Sequence, residues 1–135
     1  MKNSLIIIGF AASVLWLGGC FVFVGDETHD HGGPSAGNAI AEIDAVGELS
    51  FDSERKDGYK RIAKRQGLSA GAQVYLVEAV LDKLSFDNAK EEVLLTLIKN
   101  PSFSSVAENE ILDNIDQLAF ERSKKKILQA ISDRK

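Results

Sequence analysis

The side chains with the most reactive chemistry lie near the start of the chain. Cys20 is the only cysteine, and His29 and His31 are the only histidines. Asp30 separates the two histidines, and neutral imidazoles with a carboxylate suit divalent transition metals. A tight site also needs neighbouring groups that orient its ligands, and the glycine-rich residues around this cluster supply none. We therefore treat His29, Asp30 and His31 as weak candidate metal ligands and expect no cofactor.

The sequence contains no known catalytic signature. A GxSxG elbow, a phosphate-binding loop, a GxGxxG turn and an HExxH pair are all missing. A general base must be held within hydrogen-bonding reach of its substrate, and both histidines lie outside the regions with helical patterning. The adjacent acids Glu91 and Glu92 point in different directions on a helix and form no dyad. We predict that the protein is not an enzyme.

The chain opens with a short positive segment followed by an apolar stretch. Lys2 precedes a run without any charged residue, from Leu5 to Leu17. As a helix, this stretch spans about 20 Å, which is less than the ~30 Å hydrocarbon core of a bilayer. Its length is typical of the apolar region of a secretory signal peptide.

The end of this stretch resembles the lipobox of bacterial lipoprotein precursors, in which a leucine and two small residues precede a cysteine: Leu17, Gly18, Gly19 and Cys20. The resemblance implies that residues 1–19 are removed and that Cys20 is acylated. Each buried CH₂ contributes about 0.8 kcal/mol, so two or three acyl chains would anchor the protein to membrane lipid. Because Phe21 rather than aspartate follows the cysteine, the resemblance implies the outer membrane in a Gram-negative cell.

A second interpretation of this region stays open. The apolar run continues through Val24, and the whole segment from Leu5 to Val24 is long enough to span a bilayer as an uncleaved anchor. The protein would then be a single-pass membrane protein. Both interpretations place the C-terminal domain on the non-cytoplasmic side, because the only nearby positive charge precedes the apolar run.

Residues 20–48 are predicted to link the anchor to the domain. Glycine, serine, proline, asparagine and alanine dominate residues 25–47, and no periodic apolar pattern is evident. We therefore predict a flexible tether with a reach on the order of 25 Å. The folded domain is assigned to residues 49–135.

This domain contains a self-similar unit. A Leu-x-Phe-acid motif occurs three times at nearly equal intervals, at Leu49–Asp52, Leu84–Asp87 and Leu118–Glu121. A period of roughly 34 residues indicates helix–turn–helix repeats that stack on one another. The units resemble the Ser-Phe-Asp repeats of uncharacterised helical domains in bacterial exported proteins, a resemblance that implies no activity.

Apolar residues three, four and seven positions apart predict five amphipathic helices, over about 52–65, 70–83, 87–99, 106–117 and 121–133. The fold class is therefore all-α, with about two and a half repeats in a small bundle or a short α-solenoid. Ser105 and Glu108 fit a capping box at the fourth helix. We expect the motif aromatics to be structural wedges buried between consecutive helices: Phe51, Phe86 and Phe120. The alternative is that they form an aromatic box that holds a ligand.

The charge distribution bears on possible partners. Residues 48–135 hold 15 basic and 15 acidic residues, so nucleic-acid binding is not expected. The first and last helices are basic, whereas residues 78–116 carry nine acids and three bases. We predict a binding or scaffolding module that contacts an envelope protein. The alternatives are a periplasmic metal-binding accessory protein that uses the linker, and a homo-oligomer that pairs basic with acidic ends.

Overall fold

The computed structural model describes residues 36–135, and every regular element in that range is helical. Six α-helices follow in order: α1 (Ala36–Gly47), α2 (Asp52–Ala63), α3 (Ala70–Lys83), α4 (Asp87–Ile98), α5 (Ser105–Asp113) and α6 (Glu121–Ser132). A 3₁₀ turn at Ile115–Gln117 lies between α5 and α6. The predicted all-α class is confirmed for this part of the chain.

The predicted number of five helices is wrong because α1 forms within the segment assigned to the flexible linker. Ala39, Ile43 and Val46 lie four and three positions apart, and all three are buried. Gly37 and Asn38 favour helix poorly, so local propensity alone would not predict α1. Packing of this short apolar face against α2 and α3 supplies the stability that the local sequence lacks.

The fourth predicted helix also differs from the observed one. Its N-cap is Ser104, whose hydroxyl oxygen accepts a hydrogen bond from the Ala107 amide at 3.2 Å. The predicted capping box at Ser105 and Glu108 is therefore wrong: the N-cap lies one residue earlier, and the position three residues after it is Ala107, which has no side-chain acceptor. The helix ends at Asp113, and the chain tightens into the 3₁₀ turn instead of continuing as α-helix to position 117.

The helices pack in two alternating sets. Helix α3 contacts both α1 and α5, while α4 contacts both α2 and α6. Further contacts between α1 and α2, α2 and α3, and α3 and α4 join the sets. All six helices contribute to the largest fully buried side chains, which include Ile43, Tyr59, Ile62, Leu76, Leu94, Leu97, Ile111 and Ile127.

One close approach fixes the position of α1 against α2. A Cβ atom added at Gly58 would lie 2.7 Å from Cγ1 of Val46 and 2.9 Å from its Cγ2. Real Cβ atoms essentially never show such distances, so the two helices meet here only because residue 58 lacks a side chain. The glycine therefore serves the contact with α1.

Candidate functional site

The structure leaves part of the predicted chemistry untested. Cys20, His29, Asp30 and His31 lie outside residues 36–135, so lipidation and weak metal binding stay predictions. Within the described residues, no three histidine, cysteine, aspartate or glutamate side chains are placed to hold a metal ion. No helix in that same range is long and apolar enough to cross a membrane.

The three motif phenylalanines occupy one equivalent position in three helices. Phe51, Phe86 and Phe120 are the N-cap residues of α2, α4 and α6, with φ between −97° and −106° and extended backbone. Their exposed fractions are 66%, 63% and 66%. The prediction that these side chains are buried wedges is wrong, and we call them the phenylalanine row.

The motif leucine, not the phenylalanine, fills the junction before α4 and before α6. Leu84 and Leu118 are 2% and 1% exposed at these two turns, whereas Leu49, in the first motif, is 39% exposed. The aromatic ring two positions later lies on the surface in all three motifs, including the first, where the leucine is itself partly exposed. The repeat therefore preserves an exposed aromatic residue for which core packing gives no reason.

The acidic residues after the first two phenylalanines each link one motif to the next. Oδ1 of Asp52 accepts a hydrogen bond from the Ser85 amide at 2.9 Å, and Oδ2 of Asp87 accepts one from the Phe120 amide at 2.6 Å. These bonds hold the three turns that carry the phenylalanine row side by side. Sequence reasoning did not identify this role, although the recurrence of an acid at the same repeat position was its signal.

Phe51 and Phe86 border a shared pocket of about 340 Å³, a size within the range of ligand sites. Its other lining residues are Asp52, Ser53, Lys56, Asn88 and Ala89. Two aromatic rings thus flank a space edged by short polar groups and one lysine. Such a space can accept an apolar side chain and offer hydrogen bonds around it.

Basic residues lie one helical turn beyond the row, but acids neutralise two of them. Arg55 pairs with Asp52 at 3.3 Å, and Lys124 pairs with Glu121 at 3.0 Å. Lys90 makes no ion pair with any residue in 36–135. The surface is therefore aromatic with mixed charge, and strong attraction to polyanions is not expected.

The chemistry available at the phenylalanine row is recognition. The chain's single cysteine and two histidines lie far upstream in sequence, at positions 20, 29 and 31. Aromatic side chains bury about 150–250 Å² each and dominate the energetics of many interfaces. Comparison of the chain with protein-family models, with curated proteins and with solved structures gives no match, so the geometry of its surface is what supports a function.

Proposed function

We propose that this chain is a lipid-anchored cell-envelope protein whose helical domain binds an envelope protein through the phenylalanine row. The anchor rests on the lipobox resemblance at Leu17–Cys20. The binding role rests on one observation: three phenylalanines at the same helix position are all about two-thirds exposed. Exposed large aromatics that recur in register mark an interaction surface.

In this proposal the helices constitute a short α-solenoid: α1 with α2 and α3 with α4 form stacked hairpins, and α5 and α6 extend the stack by packing on α3 and α4. The ordered contacts within the two helix sets support this arrangement, as do the hydrogen bonds from Asp52 and Asp87 to the following motifs. In a stack of repeats, equivalent residues form a line along one edge. The phenylalanine row would be such a line.

The occupant is a protein that presents apolar side chains, rather than a bilayer surface. Attraction to anionic lipid comes from clustered unpaired bases, whereas Arg55 and Lys124 are paired with acids beside the row. The pocket of about 340 Å³ between Phe51 and Phe86 has room for apolar side chains of a partner protein. Interfaces of this kind concentrate their binding energy in a few aromatic anchors.

Site-specific photocrosslinking in the host cells tests the proposed surface. A photoreactive phenylalanine analogue would replace Phe51, Phe86 or Phe120 in the full-length protein, one position at a time. Leu128, which is exposed on α6 but outside the row, is the matched control position. We expect the three row positions to give the same protein adduct and Leu128 to give none.

Combining the photoreactive residue with substitutions at the other two row positions tests whether one partner contacts the whole row. With the photoreactive residue at position 86, the substitutions Phe51→Ala and Phe120→Ala should remove the adduct, because the partner spans the row. Adducts to lipid alone would show a membrane-contacting surface and contradict the proposal, as would different partners at the three positions.

Mass spectrometry of the membrane-extracted protein tests the anchor separately. We expect a mass that lacks residues 1–19 and includes acyl chains on Cys20. The variant Cys20→Ala should retain its leader and carry no acyl chain. An intact Met1 with an unmodified Cys20 thiol would instead identify an uncleaved membrane anchor.

A further inference from the structure

A second pocket, of about 450 Å³, lies between α1 and α3 and is unrelated to the phenylalanine row. Its lining is strongly acidic, with four carboxylates and a single base: Asp44, Glu48, Glu78, Asp82 and Lys83. Two tyrosines complete the polar lining, Tyr75 from α3 and Tyr59 from α2. Ile43 and Ala79 supply apolar surface.

Most of this negative charge is not neutralised within the domain. No residue in 36–135 forms an ion pair with Asp44, Glu48 or Glu78. Lys83 pairs only with its neighbour Asp82, at 3.5 Å, and both side chains are largely exposed. The Tyr75 hydroxyl donates to Oδ1 of Asp44, which orients that carboxylate while leaving its charge in place.

The hydroxyl of Tyr59 is the second observation that points to a ligand. The side chain is 0% exposed, yet its Oη has no hydrogen-bond partner among the described residues. A Cβ atom built at Gly47, which also lines the pocket, would lie 3.1 Å from this oxygen, so the hydroxyl end of the ring is next to the pocket. A buried hydroxyl without a partner is unfavourable unless something else satisfies it.

We propose that this pocket binds an alkylammonium group, from either a small polyamine or a lysine side chain. An ammonium carries three donors and no acceptor, which matches a lone hydroxyl oxygen and nearby carboxylates. The exposed rim and the aromatic ring of Tyr75 favour an organic cation. Because no three carboxylates in residues 36–135 converge closely enough for a metal ion, the spacing favours an extended cation.

Isothermal titration calorimetry with the full-length protein in an uncharged detergent tests this site. The probes are 1,6-diaminohexane and hexane-1,6-diol, which share a carbon chain and differ in charge. We expect the diamine to bind with one-to-one stoichiometry and the diol to give no binding heat. A third probe, a trilysine peptide, distinguishes the two sources of the ammonium group. Tighter binding of the peptide than of the diamine would indicate a lysine side chain of a protein, and weaker binding would indicate a free polyamine.

Variants assign the binding to the pocket. Asp44→Asn with Glu78→Gln should weaken diamine binding by roughly tenfold or more, because charged hydrogen bonds are lost. Asp113→Asn with Asp116→Asn removes the same charge from exposed positions outside the pocket lining and should leave the affinity unchanged. Tyr59→Phe should also weaken binding while circular dichroism shows an unchanged helix content.

Three results would overturn the proposal. Equal binding of the diol would show that charge plays no part. Unchanged diamine affinity in the Asp44→Asn, Glu78→Gln variant would show that the diamine binds outside this pocket. That result would be independent of whether crosslinking supports the phenylalanine row as a protein-binding surface. Tight binding of calcium together with no binding of the diamine would identify a metal site instead.

Discussion

Tyr59 combines complete burial with an unpartnered hydroxyl, which makes it the most informative single residue of the domain. Ordinary selection for stability favours phenylalanine at such a position. Leaving a buried polar group unsatisfied costs about 1–3 kcal/mol. A tyrosine is retained here because, in our proposal, the hydroxyl contacts the bound ammonium group.

Replacing Tyr59 by phenylalanine should therefore stabilise the domain in the absence of ligand. We expect the free energy of unfolding to rise by about 1 kcal/mol, measured by urea denaturation of residues 31–135. Tyr75→Phe is the control, since it removes an exposed hydroxyl that is already bonded to Asp44. A clear loss of stability in Tyr59→Phe would show that the hydroxyl has a partner within the fold.

The same burial should be visible in the ionisation of Tyr59. Desolvation by burial raises its pKa to about 12; the nearby positive charge of Arg55 opposes this increase, and the negative charges of Asp44 and Asp82 add to it. In the Tyr75→Phe variant, Tyr59 is the only tyrosine, so its absorbance in the near ultraviolet reports it alone. We expect the midpoint of the Tyr59 titration near pH 12.

Since the pKa of this tyrosine is lower in the unfolded chain, the domain should lose stability as pH rises from about 10 through 12. A midpoint at the ordinary tyrosine value would contradict this.

Glu91 should make the stability of the domain depend on pH in the acidic range. It is 8% exposed and accepts hydrogen bonds from Ser123 Oγ at 2.7 Å and Lys126 Nζ at 2.6 Å. Burial alone would raise its pKa, but these hydrogen bonds and the nearby positive charges outweigh burial and lower it. The lowered pKa means that the stabilisation is present above the unfolded pKa and lost as pH falls through the folded pKa.

The variant Glu91→Gln should accordingly be less stable than the wild type at neutral pH, and the difference should shrink below about pH 4. Thermal denaturation across this pH range measures both quantities. Glu54→Gln, at an exposed position on α2, is the control and should leave the dependence of stability on acidic pH unchanged. A difference that persists at low pH would show that charge is not the reason for the effect.

At the scale of the elements, the contact of α1 with α2 depends on Gly58. Alanine normally favours helix over glycine by about 1 kcal/mol. At position 58 the added methyl group meets Val46, so Gly58→Ala should instead destabilise the domain by about 1–3 kcal/mol in urea denaturation. Gly71→Ala on α3 meets nothing within 4 Å and should be neutral or stabilising.

A double variant decides whether Val46 is the cause. Val46→Ala removes the clashing methyl groups, so adding it to Gly58→Ala should cost less than the sum of the two single substitutions. Strict additivity would show that α1 does not pack against α2 at this point and that residues 36–47 do not belong to the folded domain.

The elements with a strong apolar period were predictable from sequence. The starts of α2, α3, α4 and α6 follow from the spacing of apolar residues, and Ser69, the N-cap of α3, accepts a hydrogen bond from the Ala72 amide at 3.2 Å. Helix α1 was not predictable in this way, because its buried apolar residues Ala39, Ile43 and Val46 span only about two turns and follow Gly37 and Asn38. Tertiary packing, not local propensity, decides its conformation.

The acidic pocket was beyond sequence reasoning for a related reason. Asp44, Tyr59 and Glu78 come from three different helices, and only the docking of α1 brings them together. The phenylalanine row was identified as a repeat, but its burial was predicted wrongly. Aromatics at repeat positions usually fill the core, and only the structure shows that Leu84 and Leu118 occupy that space.

Across the whole molecule, one set of packed helices carries the two separate surfaces for which we propose binding roles. The phenylalanine row lies at the N-termini of α2, α4 and α6, whereas the acidic pocket is formed mainly by α1 and α3. Helix α1 begins at Ala36, only a short segment of chain after Cys20. If Cys20 is acylated as proposed, envelope proteins are the available partners of both surfaces.

In our proposal, the phenylalanine row is an exposed contact surface and not part of the core. Urea denaturation of Phe86→Ala beside Leu84→Ala tests it most directly, since the two residues belong to one motif and differ in burial. Leu84→Ala should lower the free energy of unfolding by about 2–5 kcal/mol, because it opens a cavity. Phe86→Ala should lower it by less than about 1 kcal/mol, as expected for a largely exposed side chain. An equal loss in both variants would show that the phenylalanine is a structural wedge and would contradict the account.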